Sequence, residues 1–182
     1  DQRKVNVLAR EVGPKLGFWK PIVVSHHMLM GLGEPPKDDT TGADRAIAMK
    51  MSKSKPDTAI FMTDSEEEIK RKIKKAYCPE KEIEENPILE YFKYIIFEKL
   101  KENGRKENFL IERPEKFGGN AEFKMYSELE DAFSEGKIHP VDLKNSTAKY
   151  INEYIEPVRK HFETNAKAKK LLEQVNSFEI TR

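Results

Sequence analysis

The sequence MKMSKSKPDTAIFMTD, residues 49–64, groups lysines and serines on a short polar turn and then runs into an apolar segment. So many ammonium groups cannot all be buried, and we expect the turn to be exposed and mobile. Nucleotidyl transfer needs positive charge where the departing pyrophosphate becomes more negative, and a mobile loop can deliver that charge when substrate binds. The pattern therefore indicates either a polyphosphate-binding loop or, more simply, a solvated basic turn. The residues concerned are Lys50, Ser52, Lys53, Ser54 and Lys55.

The composition limits the classes of protein to be considered. The 182 residues carry 33 Lys+Arg and 32 Asp+Glu, so a nucleic-acid-binding role would need local basic clusters rather than a generally basic surface. The single cysteine, Cys78, excludes an internal disulfide and fits a reducing cytosol. No stretch reaches the ~20 apolar residues that span a bilayer. We expect a soluble cytoplasmic protein with no membrane contact, and, because helical spacing begins at once without an initiating methionine, a missing N-terminal portion.

The first third of the sequence predicts alternating helix and strand. Residues 1–16 have the spacing of an amphipathic helix that Gly17 closes. The β-branched run KPIVVSH, residues 20–26, is typical of a buried parallel strand. Residues 33–45 have turn formers and charge but little apolar character, which predicts a mobile loop, and a second strand is expected over residues 59–62.

Beyond about residue 80 the pattern becomes mostly helical. Helix starts are indicated by capping boxes and by Asn-Pro or His-Pro pairs, and a wide apolar face after Asn86 requires a large partner surface. We expect helices to begin at Ser65, Asn86, Ser127, His139 and residue 164, and strand-like pieces at residues 108–113 and 122–126. The fold class is therefore α/β followed by mostly α, with the division near residue 80.

The amino-acid sequence of the basic turn resembles that of a known protein family. Residues 50–54 read KMSKS, the signature of class I aminoacyl-tRNA synthetases. The stretches DQRKVNVLAREV, KIKKAYCPE, NPILE, RPEKFGG and HPVDLKN resemble, in the same order, the archaeal and eukaryotic type of tyrosyl-tRNA synthetase. The resemblance runs from residue 1 to about residue 160.

This resemblance implies an architecture and an activity. Residues 1–80 would be the C-terminal part of the Rossmann-type catalytic domain with the KMSKS loop, and residues 81–182 a helical anticodon-binding domain. The implied activity is that of a tyrosine-tRNA ligase, which activates L-tyrosine with ATP and transfers it to tRNA(Tyr), with Mg²⁺ accompanying the ATP. The HIGH-like motif and the residues that read the phenol of tyrosine are absent from this sequence. We therefore expect the chain alone to be inactive and the intact protein to be a homodimer.

The resemblance also implies roles at the nucleotide site. Lys50 and Lys53 would stabilise the ATP phosphates in the transition state, while Ser52 and Ser54 shape the loop. The residues that would contact tyrosine, ribose and adenine are, in that order, Gln2, Asp1 and the backbone of Met28 and Leu29. By position alone, Asp1 and Gln2 could instead simply cap the helix that they begin.

Two residues of the helical part suggest anticodon recognition. Phe117 stands before two glycines that permit a sharp turn, and an exposed aromatic ring can stack on an unpaired base. Asp142 follows a helix start, where its carboxylate could accept hydrogen bonds from a guanine edge. In the family these positions resemble the residues that read the first anticodon base. The simpler alternatives are a core phenylalanine and a helix-capping aspartate; Lys116, Lys144 and Lys149 are candidate phosphate contacts or ordinary surface lysines.

The adjacent His26 and His27 invite a metal-site hypothesis, which the pattern does not support. Neighbouring strand residues point to opposite faces, and no carboxylate is near in sequence. We interpret both as strand-end residues, one of which lines the nucleotide pocket. Two alternative functions stay open: a tryptophanyl-tRNA synthetase, and a non-catalytic RNA-binding module that keeps the loop as a relic.

Overall fold

A computed structural model describes residues 2–37, 41–52, 55–102 and 108–178. Within these residues the chain is largely helical and contains one small sheet. The helices are α1 (Gln2–Val12), α2 (Gly42–Met49), α3 (Glu66–Lys75), α4 (Pro87–Tyr91), α5 (Phe97–Glu102), α6 (Tyr126–Ser134), α7 (Pro140–Thr164) and α8 (Ala166–Asn176). The strands are β1 (Phe109–Ile111) and β2 (Ala121–Phe123), and a π-helical turn, Phe92–Ile96, joins α4 to α5.

The long helix α7 organises the core. It packs against α3, α4, the π-helical turn, β1 and α8. Its start confirms the prediction: Pro140 occupies the first turn, and Nδ1 of His139 accepts a hydrogen bond from the backbone N–H of Val141 at 3.2 Å. Its inner face buries Leu143, Ile151 and Ile155, so α7 supplies the surface that the apolar helix after Asn86 requires.

Asn86 begins α4 as predicted and links three local features. Its Oδ1 accepts hydrogen bonds from the N–H groups of Ile88 and Leu89 at 3.1 and 3.3 Å. Its Nδ2 donates to the Glu82 carbonyl at 2.9 Å and lies 3.5 Å from the sulfur of Cys78. Burial raises the pKa of the Cys78 thiol, which fits a packed cysteine rather than a reactive one.

The other predicted capping boxes differ in outcome. At α3, the hydroxyl of Ser65 accepts from the Glu68 N–H at 3.2 Å, so the helix begins where it was predicted. At α6, the prediction that Ser127 is the cap is wrong, because the helix already includes Tyr126 and Ser127. The carboxylate of Glu128 accepts instead from the N–H groups of the two residues before the helix.

The predicted strand-like pieces near residues 108–113 and 122–126 form the hairpin β1–β2. The strands are antiparallel and pair Phe109 with Phe123 and Ile111 with Ala121. The Phe109 ring lies 5.0 Å from the ring of Phe92 and 5.0 Å from that of Tyr150. These aromatic contacts fix the hairpin on α7 and so determine where the turn between the strands projects.

The strand predicted for residues 20–26 does not form. The segment has no regular secondary structure and is largely exposed, with Ile22 and Val24 82% and 86% accessible. A parallel strand needs hydrogen-bonded neighbours, and the one sheet among the described residues is the distant hairpin. The strand expected over residues 59–62 is likewise wrong, and α2 begins at Gly42, inside the loop predicted for residues 33–45.

Helix α1 lies outside the core. It ends at Val12, and a 3₁₀ turn, Pro14–Leu16, extends it to Gly17, whose φ of 83° closes it as predicted. None of its described residues is buried, and Val5, Val7 and Leu8 are exposed. None of the described helices is long and apolar enough to cross a bilayer.

Candidate functional site

The lysine loop begins where α2 ends, and a neighbouring segment holds that point. Met30 and Lys50 form an antiparallel bridge, and the N–H of Gly31 donates to the carbonyl of Met49 at 2.7 Å. A β-carbon at residue 31 would lie only 3.2 Å from that carbonyl oxygen, so glycine permits the close approach. The backbone of Lys50 is therefore fixed, while the end of its side chain projects from the start of the loop.

The far side of the loop closes on itself. The backbone N–H of Lys55 donates to the Ser52 carbonyl at 3.0 Å. The Thr58 hydroxyl donates to the Lys55 carbonyl at 2.7 Å and accepts from the Ser52 N–H at 3.2 Å. The Thr58 carbonyl in turn accepts from the Leu32 N–H at 3.0 Å, which returns the chain to the segment that holds the loop entry.

Lys53 and Ser54 lie outside the described residues, as does Asp1. The described part shows a tight turn with both ends tied to residues 30–32, which is the scaffold that a phosphate-binding lysine needs. The roles assigned to Lys50, Ser52, Lys53 and Ser54 stay predictions.

An ion-pair cluster anchors the loop exit to α3. Arg71 donates to both carboxylate oxygens of Asp57, at 2.7 and 3.0 Å, and its guanidinium lies 2.9 Å from Glu68. The ammonium of Lys75 is 3.6 Å from the same Asp57 carboxylate. Hydrogen bonds from Arg71 lower the pKa of Asp57 to about 2.

We expect the Asp57 carboxylate to titrate near pH 2 rather than at its ordinary value of 3.8. Because the pKa is depressed, the contribution of this group to stability is present above its ordinary pKa and is lost as the pH falls through about 2. Carboxyl NMR of the protein measures the titration directly. Replacing Arg71 by methionine should raise the Asp57 pKa towards 3.8, whereas the matched change Arg45→Met should leave it near 2; an unchanged value in R71M would contradict the assignment.

The segment before the loop is attached to α4 through one carboxylate. Nε2 of His27 lies 2.9 Å from Glu90 Oε1, and the backbone N–H of Met30 donates to Glu90 Oε2 at 2.8 Å. The His27 ring also stacks on Tyr94, with ring centroids 3.9 Å apart. The carboxylate partner of His27 is therefore 63 positions away, which no local pattern could indicate.

Met28 and Leu29 lie between these attachment points, with Met28 56% exposed. His26 contacts the His27 carbonyl through Nδ1 at 2.9 Å. In the part of the chain that the structure describes, no three His, Cys, Asp or Glu side chains could together hold a metal ion. The two histidines therefore have structural contacts in this structure: His26 contacts the His27 backbone, and His27 contacts the Glu90 carboxylate of α4.

Gln2 lies apart from these contacts. It is exposed at the start of α1, whose main contacts are with the 3₁₀ turn Pro14–Leu16. None of the described hydrogen bonds joins Gln2 to the lysine loop. Its predicted contact with tyrosine stays a prediction.

A second site brings together Phe117 and Asp142. Both line one cleft of about 390 Å³. Phe117 ends a 3₁₀ turn, Glu115–Phe117, and Gly118 and Gly119, with φ of 96° and 69°, turn the chain so that the ring is 61% exposed. The alternative of a core phenylalanine is therefore wrong. Asp142 is half-buried in the first turn of α7, where its N–H donates to the His139 carbonyl at 3.0 Å.

The same cleft contains Arg113 and His139, which sequence reasoning did not select. Arg113 donates through Nε to the Gly119 carbonyl at 2.9 Å and through Nη1 to the Lys137 carbonyl at 2.7 Å. It therefore ties the turn that carries Phe117 to the chain entering α7. No local pattern indicates Arg113, because its partners are set by the tertiary contact, and the pattern at His139 indicates only a helix start.

A larger cleft of about 850 Å³ runs between α3 and α7 and shares Val141 with the first. Its lining includes the lysines Lys70, Lys74, Lys144 and Lys149, together with Glu66 and Glu153. The ammonium of Lys144 donates to the Lys74 carbonyl at 3.2 Å, which joins the two walls. Lys116 lies elsewhere: its ammonium is 4.9 Å from the ring centroid of Phe117, beside the smaller cleft.

Comparison with known proteins places this arrangement among the class I tRNA synthetases. The family model described as tRNA synthetases class I (W and Y) matches residues 1–156. Because the match takes in most of the 182 residues, the chain belongs to the class I tRNA synthetase family for tryptophan and tyrosine.

The similar proteins carry the name of the tyrosine enzyme. A tyrosine–tRNA ligase of Thermococcus sibiricus is 45% identical over 195 aligned positions, which cover all of this chain and 50% of that protein. A cytoplasmic tyrosine–tRNA ligase of Arabidopsis thaliana is 44% identical, with 100% of this chain and 22% of that protein covered. The crystal structure of a Pyrococcus horikoshii tyrosyl-tRNA synthetase complexed with L-tyrosine superimposes with a TM-score of 0.78 at 41% identity, covering 95% of this chain and 49% of that one.

These similarities confirm the resemblance to archaeal and eukaryotic tyrosyl-tRNA synthetases that the ordered motifs indicated. The chain spans about half the length of the archaeal relatives that it matches.

Proposed function

We propose that the full-length protein is a tyrosine-tRNA ligase, which uses ATP to form tyrosyl-adenylate and then transfers tyrosine to tRNA(Tyr). The observation that carries this proposal is the convergence of Phe117 and Asp142 in one open cleft, in a chain that also holds a KMSKS loop fixed at both ends. The similarity to tyrosine–tRNA ligases supports it. On its own, the present chain should be inactive, because it holds neither the HIGH-like motif nor the phenol-reading residues.

In the KMSKS loop, Lys50 and Lys53 would act by electrostatic stabilisation and would form no covalent bond with the substrates. When the tyrosine carboxylate attacks the α-phosphate, negative charge builds on the departing pyrophosphate, and two ammonium groups placed there stabilise it. Ser52 and Ser54 would hold the shape of the turn. Mg²⁺ would accompany ATP, bound mainly through the phosphate oxygens.

The other nucleotide-site assignments belong to the same proposal. The exposed backbone at Met28 and Leu29 would lie against adenine, while Gln2 and Asp1 would contact tyrosine and ribose. We divide the protein into a Rossmann-type catalytic part that includes residues 1–80 and an anticodon-binding domain over residues 81–182. We also propose a cytoplasmic homodimer for the full-length protein.

In the cleft, Phe117 and Asp142 would share the reading of one base. The exposed ring offers a stacking face, which accepts any base. The half-buried carboxylate accepts hydrogen bonds only, so it selects a base edge that presents two N–H donors, as guanine does on its Watson–Crick side. The guanidinium of Arg113 holds the two walls of the cleft at a fixed separation.

The lysine-lined cleft between α3 and α7 would take the neighbouring phosphates. It meets the base-reading cleft at Val141, so an RNA strand leaving one enters the other. Lys74 and Lys144 both line this cleft, and their ammonium groups would contact the phosphates of the backbone. This contact would add affinity and salt dependence without sequence preference.

The anticodon assignment is tested by replacing Asp142 with alanine in the full-length protein. We expect kcat/KM for tRNA charging to fall about 10- to 100-fold, since a good bidentate base contact is worth roughly 1–3 kcal/mol. Pyrophosphate exchange without tRNA should be unchanged. Asp131→Ala, on the exposed face of α6, is the matched control. An equal loss for tRNA altered at the first anticodon base would overturn the assignment.

The tryptophan enzyme and the non-catalytic RNA module are the remaining alternatives. The tyrosine–tRNA ligase names of the similar proteins disfavour the first, and amino-acid specificity of pyrophosphate exchange decides it. A non-catalytic module would bind RNA but show no tyrosine-dependent pyrophosphate exchange in the full-length protein.

A further inference from the structure

Glu90 lies in α4, and its side chain reaches residues 27–30, the segment that is bridged to the start of the lysine loop. Its side chain is 18% exposed, and its carboxylate binds two groups of residues 27–30. The ionised carboxylate can only accept hydrogen bonds, so Nε2 of His27, 2.9 Å away, donates to it in the tautomer protonated there. The second oxygen accepts the Met30 N–H at 2.8 Å.

The base of Glu90 is rigid. It stands in α4, whose cap Asn86 is 1% exposed and whose neighbours Leu89 and Tyr91 are 1% and 3% exposed. Because these residues are packed in the core with α7, the position of the carboxylate is set by α4 and its packing rather than by the lysine loop. Tyr94, in the following turn, stacks on His27 and restricts its ring from one face.

Glu90 is connected to Lys50, the first lysine of the KMSKS sequence, through a single intervening residue. Met30, whose N–H the carboxylate binds, is the bridge partner of Lys50. The next residue, Gly31, holds the end of α2 through the Met49 carbonyl. One carboxylate thus binds the residues on either side of Met28 and Leu29, and one of them, Met30, is bridged to the start of the lysine loop.

We propose that Glu90 is a positioning residue for the adenylation step, which acts through Met30 on Lys50. The proposal rests on the ligase function proposed above. Glu90 accepts hydrogen bonds from His27 and from the Met30 N–H, and it would thereby hold the backbone from which Lys50 reaches ATP. Without it the Met30 N–H loses its acceptor, the loop entry shifts, and Lys50 no longer meets the developing charge on pyrophosphate.

The first test is steady-state tyrosine-dependent pyrophosphate exchange in the full-length protein. We expect E90A to lower kcat roughly 10- to 100-fold, the range that a misplacement of about 1 Å produces, with KM for tyrosine unchanged. E90Q keeps an oxygen acceptor for the Met30 N–H and should recover most of the rate. E90D is one methylene shorter, cannot reach both partners, and should fall between. Glu84→Ala, an exposed neighbour, is the matched control.

A double-mutant cycle with Lys50 decides how Glu90 acts. If Glu90 works through Lys50, E90A should cost almost nothing in a K50A background, because the group that it positions is gone. Independent losses that multiply would overturn the inference, as would E90Q behaving like E90A. Hydrogen exchange gives a readout that needs no activity: the Met30 amide should lose protection in E90A and keep it in E90Q.

Different results would reject the proposed ligase function and the proposed role of Glu90. An inactive wild-type protein in pyrophosphate exchange would reject the ligase function itself. An active wild-type protein whose E90A, E90D and E90Q variants all match it would reject only the role of Glu90.

Discussion

Replacing Lys50 by alanine in the full-length protein should lower kcat of tyrosine-dependent pyrophosphate exchange by about 10²–10³-fold, the usual cost of removing one preorganised charge-stabilising group. The bridge to Met30 holds the backbone of Lys50, so the base of this side chain has a defined position at the start of the loop. Its contribution arises as charge develops on pyrophosphate, and therefore kcat should fall more than the affinity for ATP.

Two controls accompany this variant. Lys160→Ala removes an exposed ammonium near the end of α7, where it pairs with Glu156 at 2.9 Å, and should leave exchange unchanged. K50R keeps the positive charge but changes its shape and should retain part of the rate. Exchange at the wild-type rate in K50A would overturn the role assigned to Lys50.

The second large effect is expected on stability. Lys72 is 2% exposed and its ammonium lies 2.6 Å from the carboxylate of Asp64, whose side chain is 10% exposed. It also donates to the Ala59 carbonyl at 3.0 Å and lies 4.5 Å from the Phe61 ring centroid. K72A leaves the Asp64 charge buried without its partner, so we expect the free energy of unfolding to fall by about 3–5 kcal/mol.

Urea denaturation of the protein measures this loss. The double variant K72M/D64N removes both charges and should recover much of it, since apolar replacements of a buried pair are often tolerated. Lys70→Ala, in the same helix but with an exposed ammonium paired to Glu66, should change stability by less than about 1 kcal/mol. Equal losses in K72A and K70A would show that the buried pair is not special.

Lys72 illustrates how far the sequence of α3 can be interpreted. The spacing of Ile69, Ile73 and Ala76 defines the buried face, and Lys72 falls on it. Within a run of basic residues, however, nothing marks this lysine as different, because its partner Asp64 precedes the helix and meets it only after folding.

The helices and the hairpin followed from local rules. Asn86, His139 and Ser65 cap the helices that they were predicted to begin, because a cap needs only its own first turn. Phe117 was predicted to be exposed from its two following glycines, and the structure confirms it. Ser127 was misplaced because Glu128 caps α6 from within.

The long-range part of the site could not be predicted in this way. The link from His27 to Glu90 spans 63 positions, and the cleft walls joined by Arg113 meet across 24. The strand expected over residues 20–26 failed for a related reason, since a parallel strand is defined by its neighbours rather than by its own composition.

The contacts that hold the two ends of the lysine loop have a consequence for protein engineering. Its entry depends on Glu90 in α4 and its exit on Arg71 in α3, and α3 packs on α7. A chimera of two related enzymes joined near residue 80 would take Met30 and α3 from one parent but Glu90 and α7 from the other. We therefore expect a recombinant designed to exchange the proposed anticodon preference to show an altered rate of pyrophosphate exchange as well, unless the partners of each of these contacts came from the same parent.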